Sequence, residues 1–296
     1  MHAVLAGASG LIGTALARSL RADGHTVTAL VRSAPRSADE VRWEPEAGRL
    51  DPAALAGADA VVCLSGAGVG DRRWTPSYKE TLVRSRVGSV TTIARALADT
   101  ESGPRVLLSA SAVGYYGDTA DREVDETAQP GQGFLADMCV RWEAAAEAAE
   151  LPGIRVARLR TGLVLAPDGG LLARLRPIVR LGVAGRFGSG RQFMPWISLA
   201  DEVRAIRFLL EHELAGPVNL TGPVPVRNSE LISTLARLVH RPALIPTPAA
   251  AMRIVLGEVA QDALTGQRAV PAKLISTGFV FEHADVESAL RWALAG

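Results

Sequence analysis

The chain has 296 residues, 48% of them hydrophobic, and its 32 basic and 31 acidic side chains leave a formal net charge of +1. That composition can fill an α/β core with a smaller appended unit, and the interspersed charge makes no electrostatic case for nucleic acid or an acidic membrane surface. No apolar stretch approaches the ~20 residues that span a bilayer and the first residues form no basic leader, so a cytoplasmic protein without membrane partners is expected.

An apolar run, His2 to Ala6, leads into Gly7-Ala8-Ser9-Gly10-Leu11-Ile12-Gly13. Ile12, Ala15, Leu16, Ser19 and Leu20 then share one helical face, Gly24 can close the helix, and Thr26 to Val31 reads as a second strand. Strand, glycine turn and helix stand in the order a dinucleotide site requires. Gly7 permits the tight turn, Gly10 lets backbone approach a pyrophosphate, Gly13 lets the helix pack on the sheet, and the helix N-terminus attracts phosphate. Gly7, Ser9, Gly10, Leu11, Ile12 and Gly13 are therefore candidate cofactor contacts. The bland alternative is a strand-to-helix turn with incidental glycines. The spacing G-x-x-G-x-x-G resembles the short-chain dehydrogenase/reductase superfamily, its extended members in particular. That resemblance implies a doubly wound α/β fold: a parallel sheet of the Rossmann type, with a smaller C-terminal substrate domain.

After Val31 comes Arg32, followed by Ser33. NAD-selective sites place an acidic residue near this point for the ribose 2′-OH, whereas a guanidinium suits a 2′-phosphate. The expectation is NADP(H), with Val31, Arg32 and Ser33 as contacts; the alternative is a solvated arginine in a chain whose only lysines are Lys79 and Lys273. Ala58 to Gly68 reads as a buried strand whose exit, Leu64-Ser65-Gly66, leaves room for the adenosine side of the cofactor. Cys63 and Cys139 lack metal-ligand or disulfide spacing, and Cys63 reads as a small core residue. No metal is expected. Val87, Val90, Ala94 and Leu97 mark a crossover helix with Arg86 near its start.

The next strand runs from Arg105 into Ser109-Ala110-Ser111-Ala112-Val113-Gly114-Tyr115-Tyr116-Gly117. In extended short-chain dehydrogenases a hydroxyl at such an exit holds the reacting oxygen of the substrate, and Ser111 is the best match. Ser109 remains open as the positional match, as does a turn whose serines only satisfy backbone groups. The superfamily's Tyr-x-x-x-Lys pair falls on Leu135 and Cys139, neither of which can protonate a carbonyl as required. Arg141 cannot substitute, because guanidinium does not deprotonate. Tyr115 and Tyr116 are the nearest phenols; they serve equally well as core aromatics beneath the site.

Together with Trp142-Glu143, Arg160 to Leu165, Gly188-Ser189-Gly190, Met194-Pro195-Trp196-Ile197 and Leu274 to Phe279, these motifs are similar to one family. It is the atypical extended short-chain dehydrogenases labelled "epimerase family protein", which carry a C-terminal domain of unassigned role. The resemblance covers essentially the whole chain. It implies NADP binding at the glycine turn, Val31-Arg32, Leu64-Ser65 and Arg86, and a frequent loss of the Tyr/Lys pair. Ser198 departs from the His that relatives often carry after Trp-Ile.

Ile154 to Leu159 reads as a sixth strand whose exit at Arg160 faces the nicotinamide end, making Arg160 a further candidate contact. Ser198 can cap a helix to Glu211, Val218 to Leu220 supplies a last strand, and Asn228 and Thr247 can cap two later helices. The expected organisation is an NADP-binding domain over 1–165, completed by 196–222, with 166–195 and 223–296 on the substrate side. A small-molecule substrate is expected between them, near Ser111, Tyr115, Arg160, Phe193, Met194 and Trp196, with Trp196 read mainly as packing. Two functions fit: an NADP(H)-dependent oxidoreductase or epimerase-like enzyme on a small carbonyl or hydroxyl compound, or a non-catalytic protein that senses the nicotinamide pool through a partner. The sequence is compatible with a homo-oligomer.

Overall fold

The computed structural model describes residues 1–182, 184–243 and 245–295, and for Leu256 the backbone alone. At its centre is β1 (His2–Ala6), whose Ala3, Val4, Leu5 and Ala6 are fully buried. Around it lie β2 (Thr26–Val31), β3 (Glu40–Arg42), β4 (Ala60–Cys63), β5 (Val106–Ala112), β6 (Arg155–Thr161) and β7 (Gly216–Leu220). They form one sheet in the order β7-β6-β5-β4-β1-β2-β3, with every pairing parallel. Strands covered on both faces read as apolar runs, which is why Ala60 to Cys63 shows no alternation. Strand β3 has three residues and no apolar pattern of its own; pairing of Ala29 to Val31 with Glu40 to Arg42 makes it, and sequence reading passes over it.

Helices cover both faces. On one side α1 (Leu11–Ala22) packs Leu16, Ala17 and Leu20 into the main core beside Ile206, Leu209 and Leu210. On the other, α2 (Pro76–Ala98) and α3 (Phe134–Glu147) bury Val90, Ile93, Trp142 and Ala146 against Val4, Val61 and Leu107. The Thr75 hydroxyl caps α2 by accepting from Tyr78 N at 3.2 Å. After α4 (Gly170–Arg180), α5 (Leu199–Glu211) begins at the expected cap, where Ser198 Oγ accepts from Asp201 N at 3.0 Å.

Helix α4 joins α6 (Asn228–Leu238) and the last helix in a second core built on Trp196, Leu172, Leu175, Leu231, Leu235 and Leu290. Neither expected cap in this region forms. Asn228 is itself the first residue of α6, and its Oδ1 instead satisfies a half-buried loop donor, accepting from Phe187 N at 2.7 Å. Pro248, not Thr247, precedes α7 (Ala249–Leu256). Then follow α8 (Val259–Leu264), α9 (Ala272–Ser276) and α10 (Val286–Ala295). The two cores interlock: Leu274 and Phe279 join the main core, and His283 reaches the start of α5. There its N–H donates to Asp201 Oδ2 at 3.0 Å and its Nδ1 lies 3.0 Å from Ser198 Oγ. An imidazole from the C-terminal region thus lies against the residue that opens α5. Among the described residues no helix is long and apolar enough to cross a membrane.

Candidate active site

Strand order reverses between β1 and β4, and the glycine loop sits at that point, where open α/β sheets bind ligands. Gly7 has φ +87°, and a Cβ there would lie 2.8 Å from the Leu64 carbonyl carbon; one on Gly13 would lie 2.2 Å from the Gly7 carbonyl oxygen. The loop is therefore pressed between α1 and the β4 exit, with backbone at its surface. Gly10 caps α1 without a side-chain hydrogen bond, and the first turn holds no acidic residue. The opening amides, at Leu11, Ile12 and Gly13, and the positive end of the helix remain for an anion.

Arg32 and Ser33 are exposed at the end of β2, and Arg32 makes no hydrogen bond or ion pair among the described residues. Leu64 and Ser65 are half-buried and Gly66 is open. Behind Gly66 lies Arg86, whose Cγ and Cζ come within 3.1 Å of where a Cβ on Gly66 would stand. Arg86 is buried over the Trp142 ring, donates from Nη1 to Leu82 O at 3.0 Å, and leaves Nε with no partner. No carboxylate pairs with it among the described residues, and burial pulls its pKa down. A desolvated cation with an orphaned donor beside a glycine opening suits an anionic or hydroxyl-rich ligand. These residues fit a dinucleotide.

The reacting end is organised by a buried network. Ser111 Oγ donates to Glu143 Oε1 at 2.7 Å, and Arg160 holds the same carboxylate with Nε and Nη2, both at 2.8 Å. Arg160 Nη1 donates to the Tyr116 hydroxyl at 3.0 Å, which in turn donates to Asn219 Oδ1 at 2.7 Å. Glu126 completes the chain, its Oε1 accepting from Asn219 N at 3.0 Å. Two of the sequence candidates lie inside this network. Arg160, read from sequence as a cofactor contact, is 3% exposed and has its fork filled by Glu143. Tyr116, read as a candidate acid, is 1% exposed, with its oxygen held between Arg160 and Asn219 and its pKa pushed by burial to about 12. Tyr115 remains partly exposed, its ring lying on the Arg160 guanidinium at 3.5 Å. At the missing pair, Leu135 lies against Gly114, and Cys139 is fully buried with its thiol pushed up to about 12 by desolvation. Behind β6, Glu202 is fully buried, accepts from Thr161 Oγ1 at 2.8 Å and leaves Oε2 without a partner; burial raises it to about 8.

A roof closes over the β4 and β5 exits. In the loop before α2, Arg73 donates to Val255 O at 3.1 Å, and Arg174 of α4 donates to Gly70 O at 2.8 Å. Lys79 pairs with Glu258 and sits 5.1 Å from the centre of the Phe134 ring. Beneath the roof Trp74, Leu82, Val83 and Met138 form an apolar cluster joined by Phe134, Leu135 and Val259. Phe193, Met194 and Trp196, expected near substrate, are buried; Trp196 Nε1 donates to Val224 O at 3.0 Å in the second core. Sequence reading misses Glu143, Glu126, Asn219 and Lys79, whose partners are distant in sequence. Among the described residues no group of three or more His, Cys, Asp or Glu could hold a metal ion.

A parallel sheet with this glycine loop at its switch point defines a nicotinamide-dinucleotide-binding protein of the extended short-chain dehydrogenase class. Residues 3–221 match the NAD dependent epimerase/dehydratase family, and 247–293 match a domain of unknown function, DUF1731. The chain belongs to the epimerase/dehydratase family. It is 48% identical to an epimerase family protein of Mycobacterium bovis, over 98% of this chain and 96% of that one. Its structure is similar to that of the human epimerase family protein SDR39U1 with NADPH, with TM-score 0.92 and 30% identity over 100% of this chain and 99% of that one. It is also similar to a nucleoside-diphosphate sugar epimerase from Corynebacterium glutamicum, with TM-score 0.82 and 31% identity over 99% of this chain and 58% of that one.

Proposed function

We propose that the protein is an NADP(H)-dependent oxidoreductase acting on a small carbonyl or hydroxyl compound. The observation that carries this reading is the exposed guanidinium of Arg32 closing β2, unpaired among the described residues, at the position where an NAD site needs a carboxylate. The human relative crystallised with NADPH supports the same choice of coenzyme. The amides of Leu11, Ile12 and Gly13 would hold the diphosphate, Arg32 and Ser33 the 2′-phosphate, and Leu64, Ser65 and Arg86 the flank between them. When bound, the nicotinamide supplies or accepts a hydride. Ser111 and the partly exposed Tyr115 border the reacting end, while the apolar roof excludes water. Similarity to the nucleoside-diphosphate sugar epimerase of Corynebacterium glutamicum keeps a sugar-nucleotide substrate within this reading.

Calorimetric titration with NADPH and NADH, followed by incubation of the NADPH complex with a panel of α-dicarbonyls, aromatic aldehydes, quinones and UDP-sugars, tests it. Tighter binding of NADPH and oxidation of it by one member of the panel are expected. NADPH binding without turnover on any member would favour a second reading, a sensor of the nicotinamide pool. Leu135, Cys139 and the commitment of the Ser111 proton to Glu143 support that alternative.

A further inference from the structure

The near-balanced charge of the whole chain conceals a local segregation. Residues 169–200 and 231–257 contain no Asp or Glu, and they carry five and three arginines. The same two stretches supply Ile178, Leu181, Ile245, Ile254 and Val255, five of the ten large apolar side chains exposed among the described residues. We propose that this face is a peripheral docking surface for an anionic membrane, with its apolar side chains set into the bilayer interface and its arginines on lipid phosphates.

The two stretches make one continuous piece of surface. Arg241 Nε donates to Arg180 O at 2.9 Å, Thr247 N to Arg186 O at 2.9 Å and Gly188 N to Thr247 O at 2.9 Å, so segment 241–247 is laced along the chain that leaves α4. Helix α7 follows directly after Pro248, and its Val255 carbonyl accepts from Arg73. That arginine belongs to the loop whose Gly70 carbonyl accepts from Arg174 of α4, which ties both helices to the rim of the candidate site. On α4, Arg174, Ile178 and Leu181 are spaced so that they share one side of the helix. Leu181 is 77% exposed and Ile254 75%, the two highest values for large apolar side chains among the described residues. Protruding apolar groups gathered in this way mark an interaction surface.

Charge selects the partner. Arg174 pairs with Asp71, and Arg191 lies 3.8 Å from Asp121. The exposed Arg180, Arg186, Arg241 and Arg253 have no ion-pair partner among the described residues. A two-fold dimer would set this face against itself, arginine against arginine with no carboxylate in either stretch to separate them. Nucleic acid would take the arginines, but it would strand the aliphatic side chains between them, and none of the aromatic residues of these stretches is exposed for bases to stack on. A bilayer with anionic headgroups accepts both kinds of side chain at once. Binding of this kind lies on the membrane and needs no spanning helix.

The test uses the full chain and is independent of coenzyme and turnover. It measures sedimentation with vesicles of phosphatidylcholine alone and of phosphatidylcholine with one-quarter phosphatidylglycerol. At least tenfold tighter partition onto the anionic vesicles is expected, and it should weaken as salt is raised. Arg180→Gln and Arg253→Gln should each lower the partition coefficient about fivefold. Leu181→Asp with Ile254→Asp should lower it at least tenfold, with melting temperature and dinucleotide binding unchanged. Val280→Asp, at an exposed apolar residue outside both stretches, should leave partition unaltered. Inorganic phosphate at the same phosphate concentration as the lipid should not release the protein; release would reduce the face to a site for free anions and overturn the proposal. No partition, or equal partition onto both vesicle types, would also overturn it. A dimer in sedimentation equilibrium that Leu181→Asp with Ile254→Asp dissociates would give the face to a second copy. Retention of single- or double-stranded DNA that Arg180→Gln and Arg253→Gln abolish, with no vesicle binding, would give it to nucleic acid.

Discussion

Ser111 Oγ donates to Glu143 Oε1 at 2.7 Å, so this buried hydroxyl commits its hydrogen to the protein interior. The acceptor is not free to turn away, because Arg160 grips both of its oxygens. Glu143→Ala leaves that guanidinium buried and unpaired, and should cost about 3–5 kcal/mol in urea unfolding. The double variant Glu143→Met with Arg160→Met should cost less than Glu143→Ala alone, since it removes both charges from the interior together.

Arg32→Ala should weaken NADPH binding by about 10- to 100-fold, the worth of a charge-assisted contact of ~1.5–3 kcal/mol, while leaving NADH binding within about twofold. Because Arg32 is exposed and unpaired among the described residues, the melting temperature should not move. Calorimetry with both coenzymes separates the two effects.

At the glycine loop, Gly13→Ala should destabilise by at least ~1–3 kcal/mol and abolish dinucleotide binding. Its new methyl would meet the Gly7 carbonyl oxygen at 2.2 Å and Ala8 Cα at 2.9 Å, and neither can yield without moving the loop. Gly24→Ala makes a useful control: nothing lies within 4 Å of its Cβ position, and its only penalty is the φ of +76°. It should cost about 1 kcal/mol and spare binding.

Glu202 gives the protein a pH dependence. Its carboxyl sits at about 8 when folded and near 4.5 when the chain is unfolded. Between those values the folded state keeps a proton that the unfolded state has lost. Stability contributed by the neutral group is therefore complete below pH ~4.5 and declines as pH rises to 8, by up to ~1.4 kcal/mol per unit. Glu202→Gln should flatten this decline in denaturation midpoints measured at pH 5, 6.5 and 8.

The sequence makes the cofactor half legible because that half is local: strand, glycine loop, helix and second strand follow one another within Met1 to Arg32, each with its own period and punctuation. Ser198 is legible for the same reason, with the residue it caps three positions on. Arg160 is not. Its type and position suggest a ligand contact, and only the fold brings Glu143, 17 residues earlier, into its fork. Glu126 is less legible still, since the backbone donors it accepts from, Asn219 and Lys273, lie 93 and 147 positions further along the chain.

The interlocking of the two cores sets an order of assembly. Leu274 and Phe279 complete an inner layer against Leu209 and Leu210, and His283 is tied to the residues that open α5. During synthesis the ribosome must release these late residues before α5 gains its outer cover. A nascent chain halted before residue 274 would show that greasy flank to chaperones.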